Sequence, residues 1–170
     1  MGHQAIDWDR FVGDHAARVL KIALRIVGRL DDAEDVAQEV FQECFRVERE
    51  SGLRDPTGMA VRLATVRSLD RLRRRRARPD TIALRDGDRV TAIGPPEHAQ
   101  ATELAEWLRA AVAALPARQA EVFALVSMEQ LPRDEAAKLL GITPEAVSTA
   151  LAKARKELAL NLDRRSGRQP

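Results

Sequence analysis

The chain has 170 residues, of which 45% are hydrophobic and 32% charged, with a formal net charge of +2. This composition fits one globular domain or two small ones and excludes a chain that is disordered throughout. Alanine, leucine, arginine and glutamate dominate, tyrosine is absent and no apolar run approaches the ~18 residues of a membrane span, so we expect an all-α protein without membrane insertion, located in the cytoplasm.

The first predicted domain, residues 1–79, holds three helices. The first runs over about 6–27, where apolar residues recur at spacings of three and four. The second begins at Asp31, whose carboxylate would cap the helix while Glu34 reaches back, as in a capping box. The third runs over about 57–76.

Residues 80–101 carry scattered glycine, aspartate and threonine and a Pro-Pro pair, which predict a mobile linker. The second predicted domain, residues 102–162, opens with helices over about 102–115 and 118–128. Residues 163–170 predict a frayed basic tail.

Residues 131–158 have the pattern of a helix-turn-helix. Gly141 separates two short helices, and Thr143 and Pro144 form a strong start signal as the N-cap and the first helical residue. The predicted facing residues of the two helices are Ala136, Ala137, Leu140, Ile142, Val147 and Leu151. A helix-turn-helix presents its second helix to the DNA major groove, whereas a plain helical hairpin is the structural alternative.

Charge is unevenly distributed in the first domain. Residues 62–78 hold eight arginines and one acid, whereas residues 31–50 are acidic, which predicts two surfaces with different partners. The arginines expected on one helical face are Arg67, Arg71, Arg74 and Arg78, widened by Arg73, Arg75 and Arg76. Guanidinium groups neutralise phosphates with little regard to sequence, so we predict contacts with a nucleic-acid backbone. A solvated helix end is the alternative, and these residues alone do not distinguish DNA from RNA.

Asp32, Asp35 and Glu39 fall at spacings of three and four and form one acidic stripe, with Gln38 beside it. Like charges at these spacings weaken their own helix slightly, so the stripe indicates a functional reason for them. The alternative is a solvated face. Phe41 is expected at the edge of the core.

Reactive groups are scarce. Cys44 is the only cysteine, so no intramolecular disulfide or thiol-based zinc site can form, and we interpret it as a core residue, with a redox sensor as the alternative. Phe45 is also expected in the core. His3, His15 and His98 are dispersed, and none pairs with an acid at metal-ligand spacing. We therefore predict no metal, no cofactor and no enzymatic activity.

Three segments together resemble the extracytoplasmic-function (ECF) group of bacterial RNA polymerase sigma factors, which keeps only regions 2 and 4. DDAEDVAQEVFQECF, residues 31–45, is similar to the region that docks on the polymerase clamp. VRLATVRSLDRLRRRRAR, residues 61–78, resembles the helix that meets the −10 element, and residues 115–158 resemble the −35-reading region 4. The resemblance implies core RNA polymerase as a partner, with binding residues Asp32, Asp35, Gln38, Glu39 and Phe41.

The resemblance also implies promoter DNA as a partner of both domains. The expected contacts of the first domain are Arg62, Arg67, Arg71, Arg74, Arg75 and Arg78. Those of the second domain are Arg133, Glu145, Ser148, Thr149, Lys153, Arg155 and Lys156. Because residues 102–162 hold seven basic and eight acidic residues, we expect weak −35 binding by the isolated second domain.

Four positions depart from the family pattern. Met59 stands where the family usually has a tryptophan, Val66 where asparagine is frequent, and Ser148 and Ala150 where basic residues are common. The resemblance implies that the loop over 49–56 holds a base that is flipped out of the DNA. This loop has no aromatic residue on which such a base could stack. We therefore expect altered or weaker promoter recognition.

The sequence thus predicts an ECF-type sigma factor that binds core RNA polymerase and directs promoter recognition and transcription initiation. Two hinged domains also predict regulation by sequestration, with an anti-sigma factor wedged between them. One alternative is a helix-turn-helix regulator that does not dock on polymerase. The other is a helical adaptor that binds only proteins.

Overall fold

The computed structural model describes residues 6–77 and 96–167, with side chains in the second range from residue 102. These residues form seven α-helices, one π-helical turn and no strand, so the all-α prediction is confirmed. The helices are α1 (Trp8–Val27), α2 (Leu30–Ser51), α3 (Pro56–Ala77), α4 (Pro96–Ala114), α5 (Ala117–Phe123), α6 (Arg133–Leu140) and α7 (Pro144–Arg165).

Helices α1, α2 and α3 pack against one another as the first helical unit. Helix α1 begins at Trp8, two residues after the predicted start. The Asp7 side chain caps it by accepting from the Arg10 N–H at 3.2 Å. Gly28 ends the helix in the left-handed region at φ +75°. The core between the helices is fully buried and includes Val19, Ile22, Ile26, Val36, Val40, Ala64 and Leu69.

The predicted capping box of α2 is wrong. The helix begins one residue before Asp31, and its N-cap is Arg29, which makes no side-chain capping hydrogen bond. The turn at Gly28 brings the chain into the helix early, because the Arg29 carbonyl already accepts from the Ala33 N–H at 3.1 Å. Asp31 therefore lies inside the first turn, and Glu34 has no cap residue to reach.

Helix α3 begins at Pro56, close to the predicted position. The preceding residue, Asp55, accepts the Gly58 N–H on its carboxylate at 2.8 Å, and proline at the first position has no N–H to leave unsatisfied. We predict that the apolar residues Val61, Leu63, Ala64, Val66, Leu69 and Leu72 of this helix lie in the core; Leu63 and Val66 are only half-buried, whereas the others are buried.

The second helical unit, α4 to α7, departs from prediction at both ends. Helix α4 begins at Pro96 and so takes in the end of the predicted linker, whose residues 80–95 lie outside the described part. Leu104, one of the apolar residues of the predicted helix over 102–115, is 52% exposed. A π-helical turn, Ala124–Met128, follows α5 where one continuous helix is expected, and α7 extends through Arg165 into the predicted tail.

Three arginines connect the two units. Arg73 on α3 donates to the carbonyls of Ala113 and Leu115, at 3.2 and 3.3 Å, where α4 ends. Arg109 on α4 donates from Nε to the Arg25 carbonyl at 3.1 Å. Arg25 on α1 donates to the Met128 carbonyl and to the Glu129 carboxylate of the second unit. Charged side chains, rather than apolar ones alone, thus set how the units meet.

Candidate nucleic-acid interface and acidic stripe

The predicted helix-turn-helix is present. Gly141 adopts φ +63°, a left-handed conformation that suits glycine, and ends α6. Thr143 caps α7 by accepting the Ala146 N–H on Oγ1 at 3.2 Å, with Pro144 at the first helical position. The predicted facing residues are buried, with Ile142 half-buried. The turn therefore holds α7 as an outward-facing helix.

The predicted DNA-contacting side chains of the second unit lie together on the outside of α6 and α7. Thr149, Lys153, Arg155, Lys156 and Arg133 are exposed. Ser148 is half-buried, and its Oγ lies 3.4 Å from a guanidinium nitrogen of Arg133. The structure thus brings these residues onto an accessible surface, and their contact with DNA stays a prediction.

Glu145 is exposed in the first turn of α7. Its carboxylate accepts hydrogen bonds from its own backbone N–H and from the Thr143 side chain, which lower the pKa of Glu145 below its usual value. The carboxylate therefore supports the helix start as a negative charge at the positive end of the helix dipole.

The acidic stripe of α2 faces the arginines of α3. Arg71 donates from Nε to Asp32 at 2.8 Å, from one terminal nitrogen to Asp35, and from the other to Glu39 at 3.5 Å. The expected separation into an acidic and a basic surface is therefore wrong for this face. The reason is packing, because α2 and α3 lie side by side and present these flanks to each other.

Two further arginines extend this contact one turn in each direction. Arg67 donates to Glu39 at 3.0 Å, and its other terminal nitrogen lies 3.8 Å from Glu43. Arg75 donates to Asp32 at 2.7 Å and to the Val27 carbonyl at 2.8 Å. We call Arg67, Arg71 and Arg75, spaced four residues apart along α3, the arginine ladder.

Ion pairing shifts the charge equilibria at the centre of this contact. Burial alone would raise the pKa of Asp32, but hydrogen bonds from Arg71 and Arg75 outweigh it and hold the pKa below its usual value. Burial would lower the pKa of Arg71, and Asp32 and Asp35 raise it instead. Both groups are therefore held in their charged forms.

Other predicted site residues have varied surroundings. Arg62, Arg74 and Gln38 are exposed and Phe41 is half-buried, as its edge position predicts, while Arg78 lies outside the described residues. Arg73 does not widen the basic face, since it turns to the second unit.

The core prediction for Phe45 is wrong, because the ring is 42% exposed. Phe45 lies late in α2, where Trp8 packs edge-on against one side at 5.2 Å and the Arg49 guanidinium lies 5.7 Å from the ring centre. Sequence reasoning also missed Glu43, whose position four residues after Glu39 continues the stripe and could have revealed it.

The single cysteine lies in the core of the first unit. Cys44 is fully buried, as predicted for a core residue, and burial raises the pKa of its thiol to about 11. A buried thiol with such a pKa is protonated and unreactive, which argues against the redox alternative.

Within residues 6–77 and 96–167, no three His, Cys, Asp or Glu side chains gather as metal ligands would. No helix in these ranges is both long and apolar enough to cross a membrane.

Known structures share this fold. CnrH in complex with the cytosolic domain of CnrY matches with a TM-score of 0.62 at 21% identity, over 92% of this chain and 87% of that one. The sigma factor RpoE of Bartonella quintana, in complex with the anti-sigma factor NepR, matches with a TM-score of 0.57 at 18% identity, over 92% of this chain and 97% of that one.

Sequence relatives define the family. Residues 11–78 match Sigma-70 region 2, and residues 105–158 match Sigma-70 region 4. The ECF RNA polymerase sigma factor SigE of Mycolicibacterium smegmatis is 34% identical over 154 residues, which span 89% of this chain and 60% of that protein. The two matched regions follow one another in order and together cover most of the chain, which therefore belongs to the sigma-70 family, in its ECF group.

Proposed function

We propose that the chain binds core RNA polymerase and directs it to promoters as an ECF-type sigma factor. The observation that carries this proposal is the presence of regions 2 and 4 in one chain, with α7 of the helix-turn-helix exposed for DNA. It acts by binding rather than by catalysis, since the polymerase supplies the chemistry. Such work takes place in the cytoplasm, where polymerase and chromosome are found.

Docking on polymerase would use the acidic stripe, with Gln38 and Phe41 at its side. Asp35 and Glu39 remain 56% and 44% exposed although they pair with arginines, so a cationic partner can reach them. A basic surface on the polymerase would complement this charge.

Promoter contact would use two surfaces. The outer face of α7 would enter the major groove, with Ser148 and Thr149 near base edges and Lys153, Arg155 and Lys156 against phosphates. Arginines of α3 would meet phosphates near the −10 element. Because α7 carries few cations at its amino end, polymerase has to supply much of the affinity.

A regulatory partner is part of the proposal. Two structures that share the fold were solved with CnrY and with an anti-sigma factor. An anti-sigma factor bound between the two helical units of this chain would cover both the stripe and α7. It would compete with polymerase for the same surfaces.

The test is co-elution of the purified chain with bacterial core RNA polymerase in size-exclusion chromatography at low salt. Asp35→Arg with Glu39→Arg should abolish co-elution, whereas Asp14→Arg, on an exposed position of α1, should preserve it. Circular dichroism of each variant checks that the helices remain. A wild-type chain that binds promoter DNA tightly but never co-elutes would be a regulator without polymerase docking. One that binds neither would be a protein adaptor.

A further inference from the structure

We propose that the acidic stripe of α2 competes inside the molecule with nucleic-acid phosphates for the arginine ladder of α3. A cationic partner that takes the carboxylates would release the arginines for DNA. The inference rests on the proposed function for the identity of that partner, but its central claim concerns only this chain and DNA.

All three guanidinium nitrogens of Arg71 donate to carboxylates of α2. Nε reaches Asp32 at 2.8 Å, and the two terminal nitrogens reach Asp35 and, at 3.5 Å, Glu39. All three nitrogens of the guanidinium are engaged in this way, so a phosphate can use the full fork of donors only after these ion pairs open. Arg71 is therefore the centre of the competition.

The other two ladder members are engaged in the same way. Both terminal nitrogens of Arg67 lie near carboxylates, at 3.0 Å from Glu39 and 3.8 Å from Glu43. Arg75 uses one terminal nitrogen for Asp32 and the other for a backbone carbonyl. The terminal nitrogens of the ladder are thus engaged along its length, whereas the buried Nε of Arg67 has no hydrogen-bond partner.

Carboxylate and phosphate are interchangeable ligands for a guanidinium, because each offers two oxygens that match the planar fork. A stripe of three carboxylates at helical spacing therefore occupies the donors that a row of phosphates would otherwise accept from. An ion pair that is already formed must be given up before DNA can be bound by the same arginine.

A cationic partner can reach the carboxylates of the stripe more easily than DNA can reach the arginines. Asp35 and Glu39 are about half exposed, whereas the side chains of Arg67 and Arg71 are 33% and 31% exposed. A cationic surface can approach the stripe from solvent, and each contact it makes weakens the hold on an arginine. By linkage, the cationic partner and DNA then raise each other's affinity by the same factor.

A matched pair of neutralising substitutions on α2 tests this. Glu39→Gln removes a carboxylate that holds two ladder arginines, and Glu34→Gln removes an exposed carboxylate of the same helix that pairs with neither Arg67 nor Arg71. Both change the net charge by one. The readout is affinity of the full chain for a generic DNA duplex across a salt series, with no polymerase present.

We expect Glu39→Gln to raise duplex affinity about fivefold near 50 mM salt and to steepen the log–log salt slope by about 0.9 for each arginine released. Glu34→Gln should leave the slope unchanged. In a chain that also carries Arg67→Ala and Arg71→Ala, Glu39→Gln must lose its effect. Thermal unfolding followed by circular dichroism verifies that each variant is folded.

Equal changes for the two glutamates, or none for either, would overturn the competition, as would a Glu39 effect that survives loss of both arginines. These outcomes are separate from the fate of the proposed function. A wild-type chain that fails to co-elute with polymerase refutes sigma-factor activity while the difference between the two glutamates can still stand. Co-elution with no such difference refutes the competition alone.

Discussion

Arg25 of α1 and Glu129, which follows the π-helical turn, form an ion pair of 2.7 Å between the two helical units. The Glu129 side chain is only 11% exposed. Burial raises the pKa of Glu129, and the nearby positive charge of Arg25 does not fully offset this. The pair therefore fixes the geometry of the interface more than it stabilises it.

Glu129→Gln should leave the free energy of unfolding at pH 8 unchanged or raise it by about 1 kcal/mol, because the amide oxygen still accepts from Arg25 without a buried charge. The raised pKa sets the sign with pH. The contribution of Glu129 to the free energy of unfolding is fully present below its unfolded-state pKa and is lost as pH rises through its folded-state pKa. The advantage of glutamine at this position therefore grows with pH. Urea unfolding at pH 4 and pH 8 measures both values. A variant that is less stable at pH 8 than at pH 4, relative to wild type, contradicts this.

Asp32 shows the opposite pH dependence. Because ion pairing lowers its pKa, its contribution is present above the unfolded-state value near 3.8 and is lost as pH falls through the lower folded-state value. Asp32→Asn should cost about 1 kcal/mol of unfolding free energy at pH 7, discounted for partial exposure. The difference from wild type should shrink as pH falls below 3.8. A constant difference across this range would show that Asp32 acts through shape and not through charge.

Two glycines should respond oppositely to alanine. Gly28 has φ +75°, and a Cβ there would lie 2.9 Å from the Arg109 guanidinium, so Gly28→Ala should cost about 1–2 kcal/mol. Gly13 lies within α1 with nothing inside 4 Å of its added Cβ, so Gly13→Ala should gain about 0.5–1 kcal/mol. Chemical denaturation of both variants decides. If they shift stability in the same direction, the conformational argument at Gly28 is mistaken.

Adjacent arginines of α3 should have different roles. Arg74 is exposed, so Arg74→Ala should flatten the log–log salt slope of duplex binding by about 0.9, with little change in unfolding. Arg73 binds carbonyls at the end of α4, so Arg73→Ala should leave the slope intact and lower unfolding free energy by about 1–2 kcal/mol. Filter binding and urea unfolding of the same two proteins make the comparison. Identical slopes for both variants would remove Arg74 from the DNA surface.

The helical periodicity of apolar residues and the residue types at helix ends predicted much of the fold. The Thr143 and Pro144 start signal, the Gly141 turn and the buried face of α6 are local patterns, and the structure has each of them. The failures occur where an outcome depends on another element. The α2 start was decided by the turn at Gly28, and the ion pairs of Arg71 depend on how α2 packs against α3.

The candidate site shows the same division. Helical spacing places Asp32, Asp35 and Glu39 on one stripe, but it carries no information about which helix that stripe meets. The spacing of Arg73 likewise suggested a surface residue, and only the position of α4 gives it carbonyl partners. Angular position along one helix is readable from sequence, whereas the identity of a neighbour is a property of the assembled units.

Burial of the single cysteine makes this chain convenient for chemical labelling. With Cys44 sealed between helices and its thiol protonated, a maleimide should leave the native protein unmodified. A cysteine engineered at an outward position of α7 would then accept a fluorophore uniquely, and slow modification of Cys44 itself would time the transient opening of the first bundle.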